Sequence, residues 1–297
     1  MNVPARVTVV EVGPRDGLQN EAAALSVAAR VAFCDALLAA GLPVVEVGAF
    51  VSPRWVPQMA ASDEVFRRVA RKPGARTPVL VPNRKGFEAA RDAGAREIAV
   101  FTAASETFNR KNINASIDES FERFAEFVPE ACREGFWIRG YISTAFGCPY
   151  EGAVPPAKVL EVARRLVEAG CHETSVGDTI GVAVPSQVSD VMGGLKHALG
   201  GEALAVHFHD TRGTALANVL AALQEGIAIV DSSAGGLGGC PYAPGASGNL
   251  ATEDLLYMLN GMGIETGVDL DKVAAASRAM GPLLGHVLPS RYLQASR

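Results

Sequence analysis

Val7-Thr8-Val9-Val10-Glu11-Val12-Gly13 runs straight into Pro14-Arg15-Asp16-Gly17. A β-branched run of this length reads as a buried strand, and the proline and glycines end it at once. The turn at the end of this strand discriminates between folds. A dinucleotide-binding sheet needs a GxGxxG turn after its first strand; here the turn places an arginine and an aspartate instead.

Seven further runs of the same kind come later in the chain: Val44–Phe50, Thr77–Val81, Ile98–Thr102, Ile138–Ser143, Glu173–Asp178, Leu204–His209 and Ile229–Ser233. Between them lie segments of helical period, among them Ser26–Ala40, Asp118–Glu134, Pro155–Ala169 and Pro185–Leu199, with Gly41, Gly135, Gly170 and Gly200 near their ends. Strand and helix in alternation imply parallel pairing. Eight units admit a closed barrel or an open doubly wound sheet, and the missing glycine fingerprint favours the barrel. The expectation is an α/β fold, a TIM (β/α)8 barrel over about residues 5–236, with extra helices at Asn249–Met262 and Asp269–Leu284 flanking it. No linker marks a second unit, so residues 1–297 read as one domain.

Hydrophobic residues make up 48% and charged residues 20% of the 297, with a formal net charge of −5. Acidic and basic residues are interspersed, which disfavours nucleic acid as a partner. Apolar runs such as Val44–Val51 stop well short of the roughly 20 residues a membrane helix needs. The chain enters its first strand within a few residues, so a cytoplasmic protein without a leader is expected. Cys34, Cys132, Cys148, Cys171 and Cys240 are odd in number and include no CxxC pair, which speaks against a disulfide framework or a structural zinc site. Most read as small buried side chains; Cys240 does not.

In a parallel barrel the reactive groups gather at the C-terminal ends of the strands. This selects Arg15 and Asp16 after the first strand, Glu46 in the second, Asp178 at the end of the sixth, and His207, His209 and Asp210 at the end of the seventh. His207 and His209 are two apart on a strand and so share a face. Alone, such a pair is as readily a core histidine and a surface one; with Asp16 at the same mouth the two can grip one ion. Two imidazoles and a carboxylate suit Mg²⁺ or Mn²⁺, although zinc or iron tolerates the same set. Asn249 is a further oxygen donor, or else the N-cap of a helix over Leu250–Leu259. The loop 235–248 holds six glycines in fourteen residues and carries Cys240, the pattern of a flap that delivers a cysteine as acid or base on closure.

Gly13-Pro14-Arg15-Asp16-Gly17-Leu18-Gln19-Asn20, His207-Phe208-His209-Asp210-Thr211 and Gly236-Leu237-Gly238-Gly239-Cys240-Pro241-Tyr242 together resemble the 3-hydroxy-3-methylglutaryl-CoA lyases, over nearly the whole chain. Lys111-Asn112-Ile113-Asn114, Gly147-Cys148-Pro149-Tyr150-Glu151-Gly152 and Gly177-Asp178-Thr179-Ile180-Gly181 add to the likeness. The resemblance implies cleavage of a tertiary 3-hydroxyacyl-CoA to acetyl-CoA and acetoacetate. It implies a divalent metal, Mg²⁺ or Mn²⁺, on Asp16, His207, His209 and Asn249, and a homodimer. The expected roles are an oxyanion donor for Arg15, a proton donor for Cys240, a base for His207 or Asp16, an orienting group for Glu46 and support of the metal shell for Asp178. Gln19 and Asn112 are candidate contacts to the acyl-CoA. Phe208 and Arg212 depart from relatives and could alter the wall around the acyl group, which keeps a bulkier 3-hydroxy-3-alkylglutaryl-CoA in view. Related condensing enzymes share the arginine–aspartate start and the histidine pair but lack the cysteine flap.

Overall fold

The computed structural model describes residues 2–239 and 248–296. Its strands are β1 (Thr8–Glu11), β2 (Val44–Val45), β3 (Gly48–Ala49), β4 (Val79–Leu80), β5 (Glu97–Ala103), β6 (Trp137–Ser143), β7 (Glu173–Asp178), β8 (Leu204–Phe208) and β9 (Ile229–Ser232). All pair in parallel, in the order β2-β1-β9-β8-β7-β6-β5-β4-β3. The two ends of that order, β2 and β3, are one stave of the barrel interrupted only at Glu46-Val47. Its successive amides alternate between neighbours: Val45 N donates to Arg76 O, Glu46 N to Glu11 O and Val47 N to Pro78 O. The stave expected over Val44–Phe50 is therefore there, and it closes the sheet. The stave expected at Thr77–Val81 shrinks to β4, in keeping with Pro78 having no N–H to give.

The helices are α1 (Val27–Ala39), α2 (Ser62–Arg68), α3 (Arg84–Asp92), α4 (Glu106–Ile113), α5 (Ile117–Ala125), α6 (Val128–Arg133), α7 (Pro156–Ala169), α8 (Pro185–Leu199), α9 (Ala215–Gln224), α10 (Thr252–Gly261), α11 (Leu270–Leu284) and α12 (Arg291–Ala295). They cover the outside of the staves by the usual stripe: α8 buries Val188, Val191, Met192 and Leu195, a 3–4 residue spacing. The single helix expected over Asp118–Glu134 is two, α5 and α6. Pro129, in the first turn of α6, cannot donate to the carbonyl four residues back, so the chain breaks at Phe127 and restarts. Among the described residues no helix is long and apolar enough to cross a membrane.

Several inward positions of the staves carry charge: Glu46, Arg139 and Asp231 are fully buried, and so are Glu11 and Asp178 on the outward face. Isolated charges at such positions would cost several kcal/mol each, of order, so each must find partners. Those partners outline the site.

Candidate metal centre

After β1 the chain winds through one π-helical turn, Gly13–Gly17. The amides of Arg15, Asp16 and Gly17 all reach the Val12 carbonyl, at 3.1, 2.7 and 3.2 Å. This tight coil brings Arg15 and Asp16 back over the mouth of the barrel. Arg15 donates through Nε to Glu46 Oε2 and through Nη1 to Asp16 Oδ1, both at 2.7 Å. Tyr141 OH donates to the same Glu46 oxygen at 3.3 Å, and the Arg15 guanidinium lies 5.5 Å from the Tyr141 ring centroid. Burial alone would push the Arg15 pKa down, but Glu46 and Asp16 outweigh it and raise it, so the guanidinium stays charged.

His207 and His209 stand side by side at the end of β8, ring centroids 5.3 Å apart. Ligand atoms of Asp16, His207 and His209 all lie within 4.8 Å of one another. Burial tends to raise the Asp16 carboxyl, yet Arg15 and the two imidazoles hold it down at about 2. Burial, then the neighbouring His207, pushes His209 down to about 3. Near neutral pH the site thus presents an ionised carboxylate and a neutral imidazole, the protonation states that ligation requires.

Asn249 completes the cluster. Its Nδ2 donates to Asp16 Oδ2 at 2.9 Å and to Leu237 O at 3.0 Å. Both neighbours are acceptors, so the amide orientation is determined and Oδ1 is left buried without a partner among the described residues, as is Nδ1 of His209. Orphaned buried atoms beside an ionised carboxylate fit a cation. The alternative capping role for Asn249 does not hold, because α10 begins only at Thr252, after Ala251. Asn249 is instead pinned by a bridge to His209. Gly238, at φ +105°, passes so close that a Cβ there would sit 2.7 Å from Asn249 Nδ2, which explains a glycine at that position.

Three interior residues that sequence reasoning passed over tie the cluster together. Arg139 on β6 donates to Tyr141 OH at 2.9 Å and to Asp231 Oδ1 at 2.6 Å, and pairs with Glu173 at 2.6 Å. Asp231 Oδ2 accepts from Ser175 Oγ at 2.8 Å and lies 3.4 Å from His207 Nδ1. Burial would lower the His207 pKa, but Asp231 and Asp16 raise it. A buried polar chain thus runs Arg15–Glu46–Tyr141–Arg139–Asp231–His207 around the inside of the staves. A signal for it was present in the sequence: an arginine in the middle of one parallel strand demands an acid on another.

Gln19 and Asn112 line a cavity of about 560 Å³ whose floor holds Arg15, Asp16, His207 and His209. Asp178, expected to support the metal shell, spends both oxygens elsewhere: Val182 N and Ala183 N donate to them at 2.9 and 3.0 Å, fixing the loop after β7. Phe208 points to the opposite face from the histidines and packs on Phe146, and Arg212 Nη1 donates to Ile180 O and Gly181 O; neither lines the cavity. The expected flap with Cys240 lies for the most part, residues 240–247, outside the described residues. Cys34, Cys148 and Cys171 are buried and Cys132 is exposed, all as free thiols.

A β/α barrel with a carboxylate, two imidazoles and a carboxamide converging at its C-terminal mouth belongs to the class of barrels built to hold a divalent cation. Sequence and structure comparisons narrow that class. A family model described as HMGL-like matches residues 6–280. The chain is 57% identical to the hydroxymethylglutaryl-CoA lyase of Pseudomonas mevalonii, over 96% of this chain and 95% of that one. It is 54% identical to the mitochondrial hydroxymethylglutaryl-CoA lyase of Mus musculus, over 99% and 90%. The solved hydroxymethylglutaryl-CoA lyase of Pseudomonas aeruginosa superposes with a TM-score of 0.98 at 51% identity, covering 100% of this chain and 99% of that one. The chain belongs to the HMGL-like family.

Proposed function

We propose that this protein is a divalent-metal-dependent carbon–carbon lyase that cleaves 3-hydroxy-3-methylglutaryl-CoA to acetyl-CoA and acetoacetate, with residues 1–297 acting as one catalytic domain. The observation that carries the reading is the convergence of Asp16, His207, His209 and the unpaired Asn249 Oδ1 beside a fixed arginine, in a chain whose relatives are named for that reaction. A solved HMG-CoA lyase 38% identical over 99% of this chain, with a TM-score of 0.94, is in complex with coenzyme A and 3-methylmalate, which suits the substrate class.

Asp16, His207, His209 and Asn249 would hold the ion, Mg²⁺ or Mn²⁺, which when bound supplies Lewis-acid polarisation of the C3 hydroxyl. The chain's own residues do the rest. A base beside the ion, Asp16 or His207, takes the hydroxyl proton. The C2–C3 bond then breaks, its electron pair passing to C2 and the thioester oxygen as the enolate while C3 becomes the ketone of acetoacetate. Arg15, locked by Glu46 and Tyr141, donates to that oxygen as charge develops. Cys240 supplies the proton to C2. Gln19 and Asn112, at the rim, contact the acyl-CoA, and Asp178 acts by fixing the loop beside β8. A cytoplasmic location goes with this reading.

Purified protein given 3-hydroxy-3-methylglutaryl-CoA and Mg²⁺ or Mn²⁺ tests it. Equal yields of acetoacetate and acetyl-CoA are expected. Faster consumption of a 3-ethyl homologue would redirect the assignment to a bulkier substrate, and net synthesis from acetyl-CoA and a ketoacid would point to a condensing enzyme.

A further inference from the structure

The two histidines of the cluster are not held alike. Asp231 is the cross-strand neighbour of His207 in the register of β8 and β9, and both side chains turn inward. His207 lines the reaction cavity with one edge and keeps its Nδ1 buried. That nitrogen faces Asp231 Oδ2 at 3.4 Å, within reach of a charge-assisted hydrogen bond, and no other partner approaches it among the described residues. Behind the His209 ring no such carboxylate stands among the described residues.

Asp231 is not free to turn away. Its Oδ1 accepts from Arg139 Nη2 at 2.6 Å and its Oδ2 from Ser175 Oγ at 2.8 Å. Arg139 is fixed in turn, through Nη1 on Tyr141 OH at 2.9 Å and through Nε beside Glu173 at 2.6 Å. A carboxylate tied at both oxygens is an aimed acceptor. It calls for an N–H on the near nitrogen of a neutral imidazole and leaves the lone pair of the far one for the cavity.

We infer that Asp231, clamped by Arg139 and Ser175, is a positioning residue of this centre: it fixes His207 in the Nδ1–H tautomer and so turns the Nε2 lone pair toward Asp16 and His209. The inference rests on the reading of that cluster as a cation site, and adds to it a residue that touches neither ion nor substrate.

Asp231→Asn is the discriminating change, because it keeps the shape of the side chain and reverses its polarity. Arg139 only donates, so it takes the amide carbonyl; the NH2 then stands in the place of Oδ2 and meets His207 Nδ1 as a donor. The imidazole must carry its proton on Nε2, where it blocks ligation. The tautomer is read from the ring-nitrogen signals of 15N-histidine in EDTA-stripped protein, at a pH where the ring is neutral, His207 being the signal lost in His207→Gln. Nδ1–H is expected in wild type and Nε2–H in Asp231→Asn. Mn²⁺ affinity in the variant falls by about ten- to a hundredfold, and electron spin-echo modulation from bound imidazole drops from two rings to one. Glu173→Gln removes a charge from the same buried network without touching the imidazole, and keeps the tautomer and affinity of wild type. A wild-type His207 protonated on Nε2 overturns the inference, whatever the variants do to folding. So does an Asp231→Asn protein that binds Mn²⁺ through both rings, or an equal loss of affinity in Glu173→Gln, which would assign the effect to buried charge. Neither readout uses substrate: the expected shifts in a protein that cleaves nothing would sink the proposed reaction and leave the role of Asp231 standing, whereas cleavage with an unmoved tautomer would do the reverse.

Discussion

Arg15 shows how much of the site hangs on single donors. Its guanidinium is held at once by Glu46 and Asp16 and lies beside Tyr141, and its Nη2 makes no hydrogen bond among the described residues. Lysine has the charge but not the fork, so Arg15→Lys cannot keep both carboxylates and still donate to a developing oxyanion. We expect kcat for 3-hydroxy-3-methylglutaryl-CoA to fall by roughly 10²–10³, with an unchanged circular dichroism spectrum; a loss below threefold would remove Arg15 from the chemistry. Asn249 makes a different demand. Asn249→Ala removes the orphaned Oδ1 and the Nδ2 bond to Asp16, so Mn²⁺ affinity, read by calorimetry on EDTA-stripped protein, should drop about tenfold or more. Equal affinities would show that the ion does not use the carboxamide.

At the scale of elements, the loops over the mouth are stitched to the staves by buried carboxyls. Glu11 at the end of β1 accepts from Gly13 N at 2.7 Å, Ala234 N at 2.9 Å and Thr252 Oγ1 at 2.7 Å, so one side chain ties the Arg15–Asp16 turn, the start of the glycine loop and α10 together. Glu253 does the same for Gly235 and, through Ser277, for α11. Burial pushes Glu11 up to about 8 and Glu253 up to about 7. The unfolded chain releases these protons near 4.5, so between that pH and about 7–8 the folded state binds more protons and stability falls as pH rises. Glu11→Gln should therefore flatten the decline of melting temperature between pH 5 and 8 relative to wild type. Superimposable profiles would mean that Glu11 is ionised in the fold across that range.

The same elements show what was readable beforehand. Alternating β-branched runs and helical stripes gave all eight staves, and the rule that barrels react at strand ends selected Asp16, His207 and His209, which the fold brings together. Asn249 stood open between an oxygen donor and a helix cap, and the start of α10 at Thr252, after Ala251, removes the cap. Asp178 ends a stave like the histidines, but its carboxylate is taken by two loop amides, a fate that depends on where the chain turns at Gly181. Arg139 and Asp231 were missed because their partner is 92 residues away, across the barrel.

For the whole molecule, an ion gripped from β1, β8 and the segment before α10 would clasp staves that the chain joins only over long separations. A ligand that binds the folded state alone stabilises it, by about 2.7 kcal/mol at a hundredfold excess over Kd. Mn²⁺ should accordingly raise the melting temperature of stripped protein, EDTA should reverse the rise, and Asp16→Asn should abolish it. Whether this cluster is both the metal site and the seat of cleavage is decided by titrating Mn²⁺ into stripped protein while following bound ion by electron paramagnetic resonance and acetoacetate release from 3-hydroxy-3-methylglutaryl-CoA in the same samples. No release is expected without metal, and activity should rise in step with occupancy to one ion per chain, with both curves displaced together in Asn249→Ala. Cleavage that persists in stripped protein, or that saturates out of step with binding, would separate the metal from the chemistry and refute the assignment.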